Sequence, residues 1–348
     1  QNDAPSNHFN TVLYTGTGTS GGDIQNVTGV GFSPGLTWVK NRSFALNHYL
    51  YDSIRGTGAA KALHSNNTDS EASASNYSDN GGVSSFSSDG FGAYRGSDNT
   101  YQGTNMNGQN YVAWNFKAGG AAVANTDGTI NSQVSVNNSL GFSVVSYTGN
   151  QTNNATVGHG LSSAPDLWIG KSIDQTSPWQ VLCSSFAEGG FLALDSTAAK
   201  GTSSNVSFDP TSTTVKFQGG QNINDGSCIA YAFTSKPGFS KVGSYTGTGA
   251  AGNSVVTGFE PAFVMMKKTN STSNWYILDN KRNGPIGGND GILFPNSSAA
   301  EDSSYNYIDF VANGFVLNFT NGDYNTSGGT YIYLAFAADG STATPSLA

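Results

Sequence analysis

Asp52 and Arg55 stand three residues apart, and the same Asp-x-x-Arg spacing returns at Asp279 and Arg282. Glu71 and Glu301 follow the two pairs, each five residues after an asparagine, Asn66 and Asn296. Glycoside hydrolysis needs two carboxyls flanking the scissile bond, so these acids are the natural candidates for such a reaction. The arginines argue against it. A cation three residues away favours the ionised carboxylate, whereas a general acid needs its pKa raised. Hydrolytic sandwiches of the glucanase type gather their acids on one strand as E-x-D-x-x-E, and no such cluster occurs. Asp52, Arg55, Asp279 and Arg282 are therefore expected to be structural ion pairs that pin a strand end to its turn. No residue is assigned a catalytic role, and the chain is not expected to be an enzyme.

The other reactive residue types give less. His8, His48, His64 and His159 are scattered without ligand spacing, so neither a metal nor a cofactor is expected. No G-x-S-x-G elbow supports a serine nucleophile. Gly-rich stretches such as GTGTSGG lack the lysine and the strand–helix setting of a phosphate loop, and read as turns. Cys183 and Cys228 both lie in apolar strand-like runs, as buried free thiols or as one disulfide. The remaining candidates are tyrosines taken to be exposed. Tyr94 and Tyr101 lie in AYRGSDNTYQGTN, and Tyr305, Tyr307 and Tyr324 lie in similarly polar stretches. Rings beside Asn and Asp suit ligand binding of the sugar type: the ring face stacks on C–H groups while amides take the hydroxyls.

These residues belong to a chain with few charges. Only 11% of its 348 residues are Asp, Glu, Lys or Arg, and 45 are glycine. Its 20 Phe, 16 Tyr and 5 Trp lie in short runs between turn signals, the layout of many short strands rather than of a disordered segment. Net charge is −8 with no Lys/Arg run, which argues against nucleic acid as a partner. No run approaches the ~20 apolar residues of a membrane span, so no membrane insertion is expected. The polar start QNDAPSNHFN carries neither a signal peptide nor an anchor pattern, leaving a removed leader or a longer polypeptide as alternatives.

Internal repetition organises the rest. Tyr-Thr-Gly recurs at Tyr14, Tyr147 and Tyr245, each followed by a Gly-rich turn. Next come PGLTWVK from Pro34, PDLWIGK from Pro165 and PAFVMMK from Pro261, with the lysine six residues after the proline every time. Twelve residues beyond Lys40, Lys171 and Lys267 stand Asp52, Cys183 and Asp279. The units close with NYVAWNFKA, SCIAYAFTS and TYIYLAFAA, ending on Phe116, Phe233 and Phe336. The expected organisation is a first unit at 1–120, a linker with a possible added strand at 121–140, a shorter second unit at 141–236 and a third unit at 237–348. Units of this size with several short strands read as β-sandwiches. The closing strands, apolar on both faces, should be central, and the lysines of TWVK and its counterparts should mark where strands emerge into water. The best helical candidate, SSAAEDS at 297–303, is a turn or two long. The short junction TSKPGFS should hold the second and third units rigidly, leaving the first freer to swing.

The long motifs GFSPGLTWVKNRS, NHYLYDSIRG, NYVAWNFKAGG, VGHGLSSAPDLWIGK, TGFEPAFVMMKKT and GGTYIYLAFA resemble tandem modules of structural proteins in marine tailed phages, cyanophages among them. The resemblance runs from about Phe9 to Ala337. It implies an all-β fold of three tandem sandwiches of the jelly-roll or concanavalin-like kind, and a place in a tail fibre or capsid decoration at the virion surface, that is, extracellular. It implies other virion proteins as partners, and with them a homo-oligomer, a trimer in the first instance. The expected function is a non-enzymatic phage structural protein that contributes carbohydrate binding to host attachment. The alternatives are a glycan depolymerase and a purely structural subunit without a ligand.

Overall fold

The computed structural model describes residues 3–71, 79–100, 102–284, 286–320 and 323–340. Apart from a few 3-10 turns, the described elements are β-strands in antiparallel sheets. Three of the sheets are large. The first orders Phe9–Thr15, Asn110–Phe116, Leu36–Asn41 and His48–Asp52. The third orders Ser240–Thr246, Thr330–Ala337, Pro261–Lys268 and Trp275–Asp279 in the same succession. The second contains that succession too, as Phe142–Asn150, Asp225–Phe233, Leu167–Ser172 and Gln180–Cys183, and grows at both edges. One added edge is Ser132–Asn137, the alternating stretch TINSQVSVN, which pairs with Phe142–Asn150. Register agrees as well: Phe9 faces Phe116, Phe142 faces Phe233, and Ser240 faces Phe336.

Each closing strand is central because both of its faces must be buried, and its period of two divides them between two cores. Val112, Trp114 and Phe116 point one way, with Ile229, Tyr231 and Phe233 and with Ile332, Leu334 and Phe336, into one core common to all three large sheets. The alternate residues Tyr111 and Ala113, Cys228 and Ala230, and Tyr331 and Tyr333 point into three separate cores. Smaller sheets, such as Ile24–Val27 with Gly90–Tyr94 and Gly82–Ser87, supply residues to those outer cores. At the middle of the common core the closing phenylalanines form a triangle. Ring centroids are 6.2 Å apart for Phe116–Phe233, 6.1 Å for Phe233–Phe336 and 5.4 Å for Phe116–Phe336.

The shared core corrects the expectation that residues 1–120 swing freely, since Phe9, Trp38 and Trp114 are locked among rings from the rest of the chain. Ring N–H donors cross the boundaries in rotation. His48 Nε2 donates to the Phe294 carbonyl at 2.9 Å, Trp179 Nε1 to that of His64 at 2.9 Å, and Trp275 Nε1 to that of Ala193 at 2.8 Å. These three donors all stand eight residues after the repeated lysine. The ends of the chain also meet, the Ser6 amide donating to Asp339 Oδ1 at 2.9 Å.

The lysines require a second correction. Lys40, Lys171 and Lys267 do not emerge into water; all three are fully buried. Strand alternation places each on the same face as Trp38, Ile169 or Met265, and backbone carbonyls take the ammonium. Lys171 Nζ donates to Ser177 O at 2.6 Å and, across a boundary, to Thr68 O at 3.0 Å; Lys267 Nζ donates to Lys268 O at 2.8 Å and to Thr197 O at 3.3 Å. Burial lowers their pKa, to about 7 for Lys40 and about 8 for Lys171 and Lys267. Residues 297–303 form no helix, because Glu301 is drawn into an ion pair with Arg42 and its amide bonds the Arg42 carbonyl. Both cysteines are free and buried: Cys183 faces the common core and Cys228 an outer one.

Candidate functional site

The two Asp-x-x-Arg pairs close onto themselves. Asp52 Oδ1 accepts the amides of Ile54 and Arg55, while Oδ2 accepts Arg55 Nε at 2.6 Å. The rest of the guanidinium binds Glu71, Lys61 O and Leu50 O. Asp279 and Arg282 repeat the arrangement at 2.6 Å, with Glu301 in place of Glu71. Burial alone raises the Glu301 pKa, but Arg42 and Arg282 outweigh it and hold the carboxyl below its ordinary value. The fourth donor to each aspartate comes from a distant part of the chain. Tyr231 Oη donates to Asp52 Oδ2 at 3.0 Å, and Trp114 Nε1 donates to Asp279 Oδ2 at 2.9 Å. With both oxygens occupied and both side chains fully buried, neither aspartate faces a space where a substrate could reach it. Tyr231, Trp114 and Leu334 hold the same position, two residues before the closing phenylalanine. At the third boundary the residues corresponding to Asp and Arg are Cys183 and Phe186, so groups belonging to or packed against the common core stand where the other two boundaries carry ions.

The tyrosines sort differently. Tyr101 lies outside the described residues. Tyr94 ends the small-sheet strand Gly90–Tyr94, half-buried, and is not brought together with the others. Tyr305 is 52% exposed, but Tyr307 and Tyr324 keep only 7% and 4% of their surface, which corrects the expectation that they are exposed. The reason is a mutual cluster that polar flanking sequence concealed. Tyr307 packs against Tyr305, Phe319 and Tyr324 with centroids 5.7–5.8 Å apart, and Tyr324 packs against Tyr276 at 5.4 Å.

Tyr276, Tyr307, Phe319 and Tyr324 of this cluster line a cavity of about 550 Å³ on the third large sheet, within the roughly 300–1,000 Å³ of small-molecule sites. Tyr276, Ile292, Phe294, Tyr307, Phe319 and Tyr324 provide the apolar wall, and Asn274, Asp302, Thr320, Asp323, Thr326 and Ser327 the polar one. Asp302 Oδ2 accepts Tyr307 Oη at 2.8 Å. Burial acts to raise the Asp302 pKa, yet hydrogen bonds from Ser304 and Tyr307 prevail and lower it, so the carboxylate is ionised near neutrality. Asp290 Oδ2 accepts the amides of Tyr307 and Ile308, both at 2.8 Å, and fixes the segment that carries Tyr305 and Tyr307. Burial pushes the Asp290 pKa up to about 6. Tyr324 Oη is buried and has no hydrogen-bond partner among the described residues. A buried hydroxyl in that condition costs on the order of 1–3 kcal/mol, which a ligand hydroxyl would offset.

The repeated Tyr-Thr-Gly supports this wall. Tyr245 Oη donates to the Tyr324 carbonyl at 2.7 Å, as Tyr14 does to Thr104 at 2.7 Å and Tyr147 to Ile223 at 2.6 Å. The glycine lets the same loop approach: a Cβ on Gly247 would lie 2.2 Å from the Thr326 carbonyl oxygen. Asn325, fully buried, accepts the Thr248 amide and donates to Ala250 O. Sequence reasoning found Tyr305, Tyr307 and Tyr324 but missed Tyr276, Phe319, Asp302 and Asp323. The alternating polar and aromatic run DSSYNY was the one available signal, since Tyr276 looks like any strand residue in NWYILD.

The class so defined is an all-β protein of several antiparallel sheets, with a cavity walled by tyrosines and carboxylates. The chain belongs to the family described as a domain of unknown function, DUF7483, whose model matches residues 4–339. No curated protein and no solved structure matches it.

Proposed function

We propose that this chain is a non-enzymatic structural component of a virus particle, a tail fibre or capsid-surface appendage, that contributes adhesion to host-surface glycans through the cavity of its third sheet. The observation that carries the reading is the cavity wall: tyrosines packed edge to face, beside hydroxyls, an amide and carboxylates, with the exposed Tyr305 packed against two of its rings. Aromatic faces for C–H groups and short polar groups for hydroxyls are what sugar recognition needs. We also read the three large sheets with their smaller partners as three tandem β-sandwich units. Shared strand order, equivalent registers and the common role of Tyr14, Tyr147 and Tyr245 support that reading. A single cavity of this kind is a weak grip, so adhesion calls for several copies, and a symmetric trimer on the particle is the arrangement we favour.

The test is binding of the intact chain to immobilised host-surface polysaccharide, run alongside an assay for released reducing ends. Retention without release, reduced at least tenfold by Tyr305→Ala, is the expected outcome. Release of reducing ends would replace this reading with a depolymerase, and no retention would leave a purely structural subunit.

A further inference from the structure

Resting on that reading, we infer that the third-sheet cavity selects sugar termini that carry no anionic group and rejects uronates, sialates and sulfated sugars. Among the described residues, the lining holds two carboxylates, Asp302 and Asp323, and no lysine, arginine or histidine. Asp302 is fixed by its bond from Tyr307, and Asp323 lies exposed at the edge of the cavity. An anionic group entering here would meet like charge with no cation to pair it, in a partly desolvated space where such repulsion is stronger than in water. Neutral hydroxyls meet the opposite situation. The hydroxyl of Tyr324, buried and without a described partner, offers a donor and an acceptor, and Asn274, Thr320, Thr326 and Ser327 offer more. Tyr305 packs against two rings of the cavity wall, Phe319 at 4.9 Å and Tyr307 at 5.8 Å, so its exposed surface is held in one orientation for stacking. The chain as a whole is acidic, at −8, so long-range attraction does not favour polyanions either.

The experiment compares the intact chain on surfaces carrying short oligosaccharides that end in glucose, N-acetylglucosamine, glucosamine or glucuronate, at equal density and 0.15 M salt. Glucose or N-acetylglucosamine termini should be retained, glucosamine no less strongly, and glucuronate at least tenfold more weakly. Asp323→Asn should narrow the ratio of neutral to glucuronate binding, whatever it does to neutral binding itself, and Asp323→Lys should close or invert it. Tyr305→Ala and Tyr324→Phe should each weaken neutral binding. Equal binding of glucuronate and neutral termini, lost in Tyr305→Ala, overturns the selectivity while leaving glycan adhesion in place. Binding of no terminus, or binding untouched by Tyr305→Ala and Tyr324→Phe, removes the cavity from the adhesion reading altogether.

Discussion

Replacing Tyr231 by phenylalanine deletes one oxygen from the boundary between the first and second large sheets. That oxygen is the donor at 3.0 Å to Asp52 Oδ2, in a place without solvent. A hydrogen bond to a charged acceptor contributes about 1.5–3 kcal/mol. Asp52 keeps Arg55 Nε and two backbone amides, so the loss stays well short of the ~3–5 kcal/mol of a buried ion stripped of its partner. The expected cost of Tyr231→Phe is therefore about 2 kcal/mol. Asp52→Asn costs more, because Arg55 is left with Glu71 and backbone carbonyls. In the double variant the two losses overlap, and the coupling should be about 1–2 kcal/mol. Urea titrations of the four proteins at one pH measure it, provided the slope with denaturant is unchanged. A single transition is expected in each, since all three large sheets share the core around Phe116, Phe233 and Phe336. Coupling within error of zero, or a Tyr231→Phe cost below about 0.5 kcal/mol, would refute the view that donors from distant sheets hold the buried aspartates.

Two further outcomes follow from the interior. Lys40, Lys171 and Lys267 bind protons less well folded than unfolded, so their penalty is full below pH 7 and fades as pH rises toward the free-lysine value near 10.4. Stability should climb between about pH 7 and 10, by up to ~1.4 kcal/mol per pH unit for each lysine, and Lys171→Met should flatten the slope of urea midpoint against pH. Gly247→Ala should destabilise the fold and weaken sugar retention together, because it displaces the loop of Tyr324; Gly149→Ala, at the corresponding turn of the second sheet, should destabilise without touching retention.

Much of this architecture was legible because proline, lysine and phenylalanine recur at fixed offsets, which fixes register once strands are granted. The runs YVAWNF and YIYLAF announced burial on both faces. What covers the second face was not written locally, since Phe116 finds Phe233 and Phe336 far along the chain. For the same reason the Asp–Arg pairs were visible but their donors Tyr231 and Trp114 were not. Lys40 and its counterparts misled because a cation after an apolar run resembles a strand exit; only the neighbouring carbonyls, as with Thr68 for Lys171, reveal otherwise. Tyr307 and Tyr324 misled in the opposite sense, their polar neighbours hiding rings that bury one another.

The bond between Ser6 and Asp339 has a mechanical meaning. A polypeptide that runs into this fold at one of these residues and out at the other gains almost no end-to-end span from the residues between. In such an arrangement the fold would sit like a bead on a side loop, adding bulk without lengthening the thread. Tension along such a thread would first part Phe9–Thr15 and Thr330–Ala337 from their neighbours, strands whose Phe9 and Phe336 rings stack at 4.7 Å. Because Thr330–Ala337 is also central to the third large sheet, and its Tyr331 and Tyr333 share a core with Tyr276, Tyr307 and Tyr324, a pull on that seam would be carried to the wall of the tyrosine-lined cavity.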